Sequence, residues 1–144
     1  MKSVAQLLKI KGTAVHSVAP TTSVLECLKL FADQSIGAVL VVEGDRLVGI
    51  FTERDYARKV VLHGKSSKDL EVRDIMSAEV LWVGPERTNE ECMALMTEKR
   101  VRHLPVMEGG KLLGIISIGD LVKDIIAEQQ FVIGHLERYI MGER

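Results

Sequence analysis

This chain of 144 residues has few cysteines, no long apolar run and no excess of either charge. Apolar runs such as residues 38–42 are far shorter than the roughly 20 residues that span a bilayer, so no membrane segment is expected. The first residues lack the apolar core of a signal peptide, which predicts a cytoplasmic protein. Two cysteines are too few for a disulfide framework, and we expect Cys27 and Cys92 to be reduced thiols in the core.

The charge balance and the missing motifs exclude further classes of protein. A net charge of −1 offers no basic field to attract nucleic acid. The four histidines show no metal-ligand spacing with cysteines or acids, so no metal site is predicted. Walker loops, Gly-x-Gly-x-x-Gly and Gly-x-Ser-x-Gly are absent from the sequence, and no activated nucleophile can be assembled from motifs.

What the chain does contain is a repeat at an offset of 65 residues. Identical residues recur at this offset, without a gap, from Pro20 and Pro85 to Asp55 and Asp120. A unit of about 60 residues buries only about 60% of its unfolded surface, so two such halves are expected to share one core. We therefore predict a single composite module of two pseudo-symmetric units, with two related clefts.

Hydrophobic periodicity and turn signals predict the same order, β-α-β-β-α, in both units. The fold class is therefore mixed α/β, of the α+β type. Thr22 or Ser23 can cap the first helix of unit 1, and Thr88 or Asn89 that of unit 2. The predicted strands are 14–18, 38–42 and 47–51 in unit 1 and 80–83, 103–107 and 112–116 in unit 2, with second helices at 54–62 and 119–126.

The chain divides around these two units. We predict an N-terminal helical segment at 1–13, repeat 1 at 14–62, a linker at 63–76, repeat 2 at 77–127 and a C-terminal helix at 128–144. Within the linker, residues 72–76 take the place that residues 7–11 hold before the first copy. An apolar stripe on the C-terminal helix either packs on its own module or lines a subunit interface; its members are Phe131, Val132, Leu136, Tyr139 and Ile140.

A short signature follows the last strand of each unit: glycine, two apolar residues, a hydroxyl residue and an aspartate three residues later. It places Thr52 and Asp55 in the first unit, and Ser117 and Asp120 in the second. One interpretation is a capping box that begins a helix. The other is a ribose phosphate site, with phosphate at the helix N-terminus and the ribose diol on the carboxylate.

The paired β-α-β-β-α units, the two signatures and the Arg-His-Leu-Pro-Val strand at residues 102–106 resemble a tandem CBS-domain protein, or Bateman module, of the stand-alone bacterial type. The resemblance covers roughly residues 10–127. It implies a regulatory sensor, not a catalyst, that binds an adenosine ligand (AMP, ADP, ATP, S-adenosylmethionine or NAD) in clefts between the repeats. It also implies a homodimer and an effector, which we expect to be a separate protein.

The resemblance assigns roles to individual residues. Ribose binding falls to Asp55 and Asp120. The phosphate side is formed by Thr52, Arg54, Ser117, Arg102 and His103. The candidates for the adenine pocket are Thr13, Val15, Ile36, Ala38, Val80 and Val101. The basic residues are unequally shared between the two copies, so the two clefts are expected to differ chemically.

Three classes of function remain open at this point: a ligand-sensing module, a scaffold whose clefts stay empty and whose repeats serve only dimerisation, and an enzyme such as a nucleotide hydrolase. Nucleotide binding that is lost in Asp55→Ala and Asp120→Ala would separate the first class from the second. Turnover of the bound nucleotide would identify the third.

Overall fold

The computed structural model describes residues 2–142 and has the predicted mixed α/β architecture. The helices are α1 (Val4–Lys11), α2 (Val24–Gln34), α3 (Glu53–Asp55), α4 (Asn89–Lys99) and α5 (Ile118–Ile140). The strands are β1 (Ser17–Val18), β2 (Ala38–Glu43), β3 (Arg46–Thr52), β4 (His103–Glu108) and β5 (Lys111–Ser117). A π-helix (Tyr56–Val61) continues α3, and a 3-10 helix (Val72–Asp74) lies in the linker.

The two repeats share the register of their hairpins. Strands β2 and β3 pair antiparallel, as do β4 and β5, and each hairpin has a bulge directly after the residue that faces its glycine. In repeat 1 that glycine is Gly49, opposite Val41, and in repeat 2 it is Gly114, opposite Val106. The backbone thus repeats at the same offset of 65 residues as the sequence.

The first strand of repeat 2 is an exception to this symmetry. The predicted strand 80–83 is wrong: Val83 makes only an isolated parallel bridge with Val106. In repeat 1 the amide of Leu40 donates to the carbonyl of His16, which extends the parallel pairing of β1 with β2. The residue equivalent to Leu40 is Pro105, which has no N–H to donate, so the ladder ends there. In repeat 1 the strand is shorter than the predicted 14–18.

The helices of the second halves also differ from expectation. The helices predicted at 119–126 and 128–144 form one continuous helix, α5, because no glycine or proline interrupts residues 120–133; residues 143 and 144 of that prediction lie outside the described residues. Its C-terminal part leaves the module: Phe131 is 70%, Leu136 53% and Tyr139 75% exposed. The apolar stripe therefore does not pack on its own module.

Two apolar cores lie side by side, and each one includes a segment from outside its repeat. Residues 72–76 cover the core of repeat 1 through Val72 and Ile75, whereas α1 covers the core of repeat 2 through Val4 and Leu7. The chain therefore crosses over: α1 precedes repeat 1 but packs on repeat 2. Cys27 and Cys92 are buried and unpaired in these cores, as predicted, and burial raises the pKa of both thiols to about 11.

The two covering segments match at an offset of 68 residues and not 65. The amide of Val4 donates to the carbonyl of Arg87 at 2.8 Å, and the amide of Val72 donates to the carbonyl of Thr22 at 2.7 Å. Residues 72–76 therefore correspond to residues 4–8, so the predicted match to residues 7–11 is wrong by three residues. Three more residues therefore separate residues 4–8 from repeat 1 than separate residues 72–76 from repeat 2. These extra residues carry the end of α1 towards repeat 2.

The signature glycines are required by these covering segments. A Cβ added at Gly114 would lie 2.9 Å from Cδ2 of Leu8, and one at Gly49 would overlap the thioether of Met76. In each repeat, the close neighbour of the signature glycine is therefore a side chain of a covering segment.

Candidate functional site

Two cavities of about 400 Å³ each lie between the repeats. We call them cleft A and cleft B. Cleft A is lined by Thr52, Arg54 and Asp55 of repeat 1 together with Val101, Arg102 and His103 of repeat 2. Cleft B is lined by Ser117 and Asp120 of repeat 2, by Ile36 and Ala38 of repeat 1, and by Lys11 of α1. Each signature thus faces the start of the middle strand of the other repeat.

The capping boxes are present in both signatures. The amide of Thr52 donates to Oδ2 of Asp55 at 3.0 Å, and the amide of Asp55 donates to Oγ1 of Thr52 at 3.2 Å. The corresponding distances between Ser117 and Asp120 are 2.8 Å and 3.2 Å. These boxes begin α3 and α5, and they also hold the hydroxyl and the carboxylate in fixed positions on the cavity walls. The capping and ligand-binding interpretations are therefore compatible.

Cleft A is rich in guanidinium groups. Besides the predicted Arg54 and Arg102, it is lined by Arg58 and Arg100. One guanidinium nitrogen of Arg54 donates to the carbonyl of Arg100 at 2.7 Å, which ties repeat 1 to repeat 2 across the cleft. Planar guanidinium groups recognise phosphate oxygens well, so the arrangement suits an anionic ligand.

The sequence reasoning missed Arg58 and Arg100, although signals for both exist. Arg58 follows Arg54 by four residues, which brings both to one side of the helical segment after β3. Arg100 ends α4 with a positive φ of 55°, and the equivalent Ser35 ends α2 with 54°. These two left-handed positions turn the chain directly into the cleft walls.

Cleft B has fewer positive groups, and one of them is engaged. Nζ of Lys11 lies 2.5 Å from Oδ2 of Asp120 and donates to the carbonyl of Ile115 at 2.7 Å. Burial would raise the pKa of Asp120, but the hydrogen bonds from Lys11 and from the Ser117 amide outweigh it, so the pKa lies below its usual range. Sequence reasoning missed Lys11, because it lies in α1, outside the repeat that it contacts.

The adenine-side candidates are only partly placed in the cavities. Ile36 and Ala38 line cleft B and Val101 lines cleft A. Thr13, Val15 and Val80 are not among the residues that line these two cavities in the described part of the chain. Their neighbours are: Ala14 and His16 line cleft B, and Glu79 and Leu81 line cleft A. The predicted residues and the lining residues thus alternate along the chain in both repeats.

One histidine belongs to both clefts. His103, at the start of β4, lines cleft A and cleft B. Burial, followed by the positive charges of Lys11 and Arg102, lowers its pKa, and the carboxylate of Asp120 opposes this shift. The imidazole is thus a wall that the two cavities share.

Among residues 2–142, no group of three or more His, Cys, Asp or Glu side chains is placed to hold a metal ion. Within the same residues, no helix combines the length and apolar character needed to cross a membrane.

Comparison with known proteins agrees with this geometry. The family model described as CBS domain matches residues 9–62 and 72–127. The chain is 35% identical over 149 residues to the CBS domain-containing protein CBSX3, mitochondrial, of Arabidopsis thaliana, and the match covers 97% of this chain and 72% of that protein.

Solved structures show the same pairing of repeats. A protein with CBS domains from Burkholderia ambifaria is 55% identical and superposes with a TM-score of 0.86, covering 89% of this chain and 96% of that one. The CBS domain pair of protein MJ0100, solved with 5′-methylthioadenosine and S-adenosyl-L-methionine, is 19% identical with a TM-score of 0.78 and covers 89% of this chain and 98% of that one. The latter likeness shows the fold alone. With both repeats matched by the family model, the chain belongs to the CBS-domain family and carries two CBS domains in tandem.

Proposed function

We propose that this CBS pair is a regulatory module that binds an adenosine nucleotide in the clefts between its repeats. The observation that carries the proposal is that each capping box lines a cavity with its hydroxyl and carboxylate in place. A ribose diol would bind to Asp55 in cleft A and to Asp120 in cleft B. Its phosphates would bind near Thr52 or Ser117, at the start of α3 or α5.

The guanidinium groups of cleft A favour a ligand with a phosphate chain. The cavity that Thr52 lines is also lined by Arg54, Arg58, Arg100 and Arg102, so AMP, ADP, ATP or NAD fits this cleft better than an uncharged nucleoside does. The complex of MJ0100 shows that this fold can hold adenosine compounds. The ligand of the present chain is proposed from its own residues.

The mechanism that we propose is a shift of population between arrangements of the two repeats. A ligand in cleft A contacts α3 of repeat 1 and the start of β4 of repeat 2, so it stabilises one relative position of the repeats. By linkage, the ligand raises the affinity of an effector protein that recognises this position, and the effector raises the affinity of the ligand by the same factor. The buried, unpaired cysteines fit a reducing compartment such as the cytoplasm.

A thermal-melt panel with AMP, ADP, ATP, NAD and S-adenosylmethionine tests the proposal. A ligand at 100 times its dissociation constant adds about 2.7 kcal/mol to the stability of the native state. The shift should be lost in the Asp55→Ala, Asp120→Ala double variant. A matched control is Asp74→Ala, because Asp74 also caps a helical turn, accepting from the amide of Glu71 at 3.2 Å, but lies outside both clefts.

A flat panel would refute nucleotide binding and favour the scaffold, in which the boxes serve only as helix caps. Turnover of a bound nucleotide would instead identify an enzyme. A shift that survives in the double variant would place the ligand elsewhere on the molecule.

We also propose that the module forms a homodimer through the exposed part of α5. Val132, Leu136 and Tyr139 lie on one side of this helix and are 49%, 53% and 75% exposed. Sedimentation should give twice the chain mass of 16.0 kDa at micromolar concentration. Leu136→Glu should produce monomers, whereas Gln130→Glu, about 120° away around the helix, should not. A monomeric parent protein would refute the dimer.

A further inference from the structure

Cleft B contains a cation of its own on the carboxylate that the ligand needs. Lys11 lies 2.5 Å from Asp120, and the two side chains are only 29% and 21% exposed. The same ammonium also donates to the carbonyl of Ile115. These contacts join the end of α1 to β5 and to the start of α5, at the carboxylate of the proposed ribose site.

Within residues 2–142, cleft A has no such arrangement. The offset of 68 that relates the covering segments pairs Lys11 with Glu79, an acid on the wall of cleft A. The cation nearest to Asp55 is Lys59, at 3.4 Å, and it lies one turn further along the same helical segment. Lys59 thus approaches Asp55 from within its own repeat and does not reach across the cleft.

We propose that Lys11 is a specificity-determining residue of cleft B, which selects ligands that carry a phosphate over neutral adenosine compounds. The inference rests on the function proposed above and names the ligand class for one of its two sites. The two classes of ligand differ in whether they provide an anionic partner for the ammonium of Lys11 once it leaves Asp120.

A neutral nucleoside whose two ribose hydroxyls bind both carboxylate oxygens of Asp120 must displace Lys11 from Oδ2. The displaced ammonium keeps the carbonyl of Ile115 but loses its counter-ion in a partly buried site, and this loss weakens the binding of the neutral ligand. A nucleotide brings a phosphate towards Ser117, the residue three positions before Asp120. The flexible stem of lysine lets the ammonium move from the carboxylate to that phosphate, so the positive charge keeps an anionic partner.

The test is a calorimetric titration of cleft B with adenosine and with AMP. Asp55→Asn serves as the parent for all variants, because it removes the ribose carboxylate of cleft A. In this parent, AMP should bind about tenfold or more tightly than adenosine. Lys11→Met should tighten adenosine about tenfold, since Asp120 is then free for the diol, without tightening AMP.

Three further variants complete the design. Lys11→Gln repeats the test with a neutral polar side chain, in case methionine disturbs the end of α1. Lys11→Arg keeps the cation and should keep the preference for AMP. Lys9→Met removes an exposed cation from the same helix and should leave both affinities unchanged. Adding Asp120→Asn to the parent should abolish the remaining binding, which assigns the signal to cleft B.

Two results would overturn the inference, and they differ. If both ligands bind and the neutral Lys11 variants keep the parent's ratio of affinities, Lys11 does not determine specificity and the proposed function stands. If neither ligand binds the parent or any variant, nucleotide binding by cleft B fails, and the role of Lys11 fails with it.

Discussion

The crossed-over packing of α1 on repeat 2 can be tested by a substitution whose effect should change sign with its background. Gly114 of β5 lies opposite Val106 of β4, and Leu8 of α1 covers Gly114. In Gly114→Ala the new methyl group would lie 2.9 Å from Cδ2 and 3.4 Å from Cδ1 of Leu8. Overpacking of this kind costs about 1–3 kcal/mol, so we expect the variant to lose stability.

The same substitution should be harmless once Leu8 is truncated. Leu8 is 5% exposed, and Leu8→Ala alone should cost about 2–5 kcal/mol through lost burial and the cavity it leaves. In that background the methyl group added at position 114 enters empty space. Gly114 does not have a positive φ, so alanine also reduces the entropy of the unfolded chain, worth about 0.4–1 kcal/mol. Gly114→Ala should then be neutral or stabilising.

Urea unfolding of the four proteins in this double-mutant cycle measures the coupling directly. A coupling of about 1 kcal/mol or more, with the sign above, supports the contact between α1 and repeat 2. An equal cost of Gly114→Ala in both backgrounds would refute it. Gly49 and Met76 offer an independent repetition in the other half of the molecule, where the overlap with the added methyl group is deeper.

Three further outcomes follow from the buried titratable groups. Burial would raise the pKa of Asp124, but hydrogen bonds from Lys2 and Asn89 lower it on balance. The carboxylate therefore contributes its full stabilisation well above about pH 4, and this stabilisation is lost as the pH falls through the lowered pKa of the native state. Asp124→Asn should flatten the acid limb of a profile of stability against pH. The thiols of Cys27 and Cys92, with pKa values of about 11, should react with alkylating reagents at pH 8 far more slowly in the native protein than in urea. Loss of the positive charge in Lys11→Met should raise the pKa of His103 in an NMR titration, and an unchanged value would place Lys11 elsewhere.

Much of the fold could be predicted because both repeats carry the same local signals. The hairpin turns, the helix caps at Ser23 and Thr88, and the boxes at Thr52 and Ser117 depend on residues close in sequence. Features that depend on distant residues were missed. The lost strand of repeat 2 required pairing Leu81 with Pro105 before the absent N–H of the proline became significant.

The candidate site, like the fold, could be predicted where it depends on residues close in sequence. Asp55, Asp120 and their hydroxyl partners lie on the cavity walls because the signature alone positions them. Lys11 reaches cleft B only through the crossing of the chain, which no local pattern reveals. Thr13, Val15 and Val80 do not line the two clefts, whereas their sequence neighbours do, because strand ends too short to show clear alternation do not indicate which side faces a cleft.

The crossing of the covering segments also imposes an order on folding during synthesis. Residues 72–76 leave the ribosome soon after β3, so repeat 1 can close its core within a few seconds at about 5–20 residues per second. Helix α1 is made first, yet its partner strand β5 follows only about a hundred residues later. While repeat 1 folds, the core of repeat 2 that will bury Val4, Leu7 and Leu8 has therefore not yet formed. The docking of α1 on repeat 2 is expected to be the last step, and it completes cleft B after cleft A already has its wall from repeat 1.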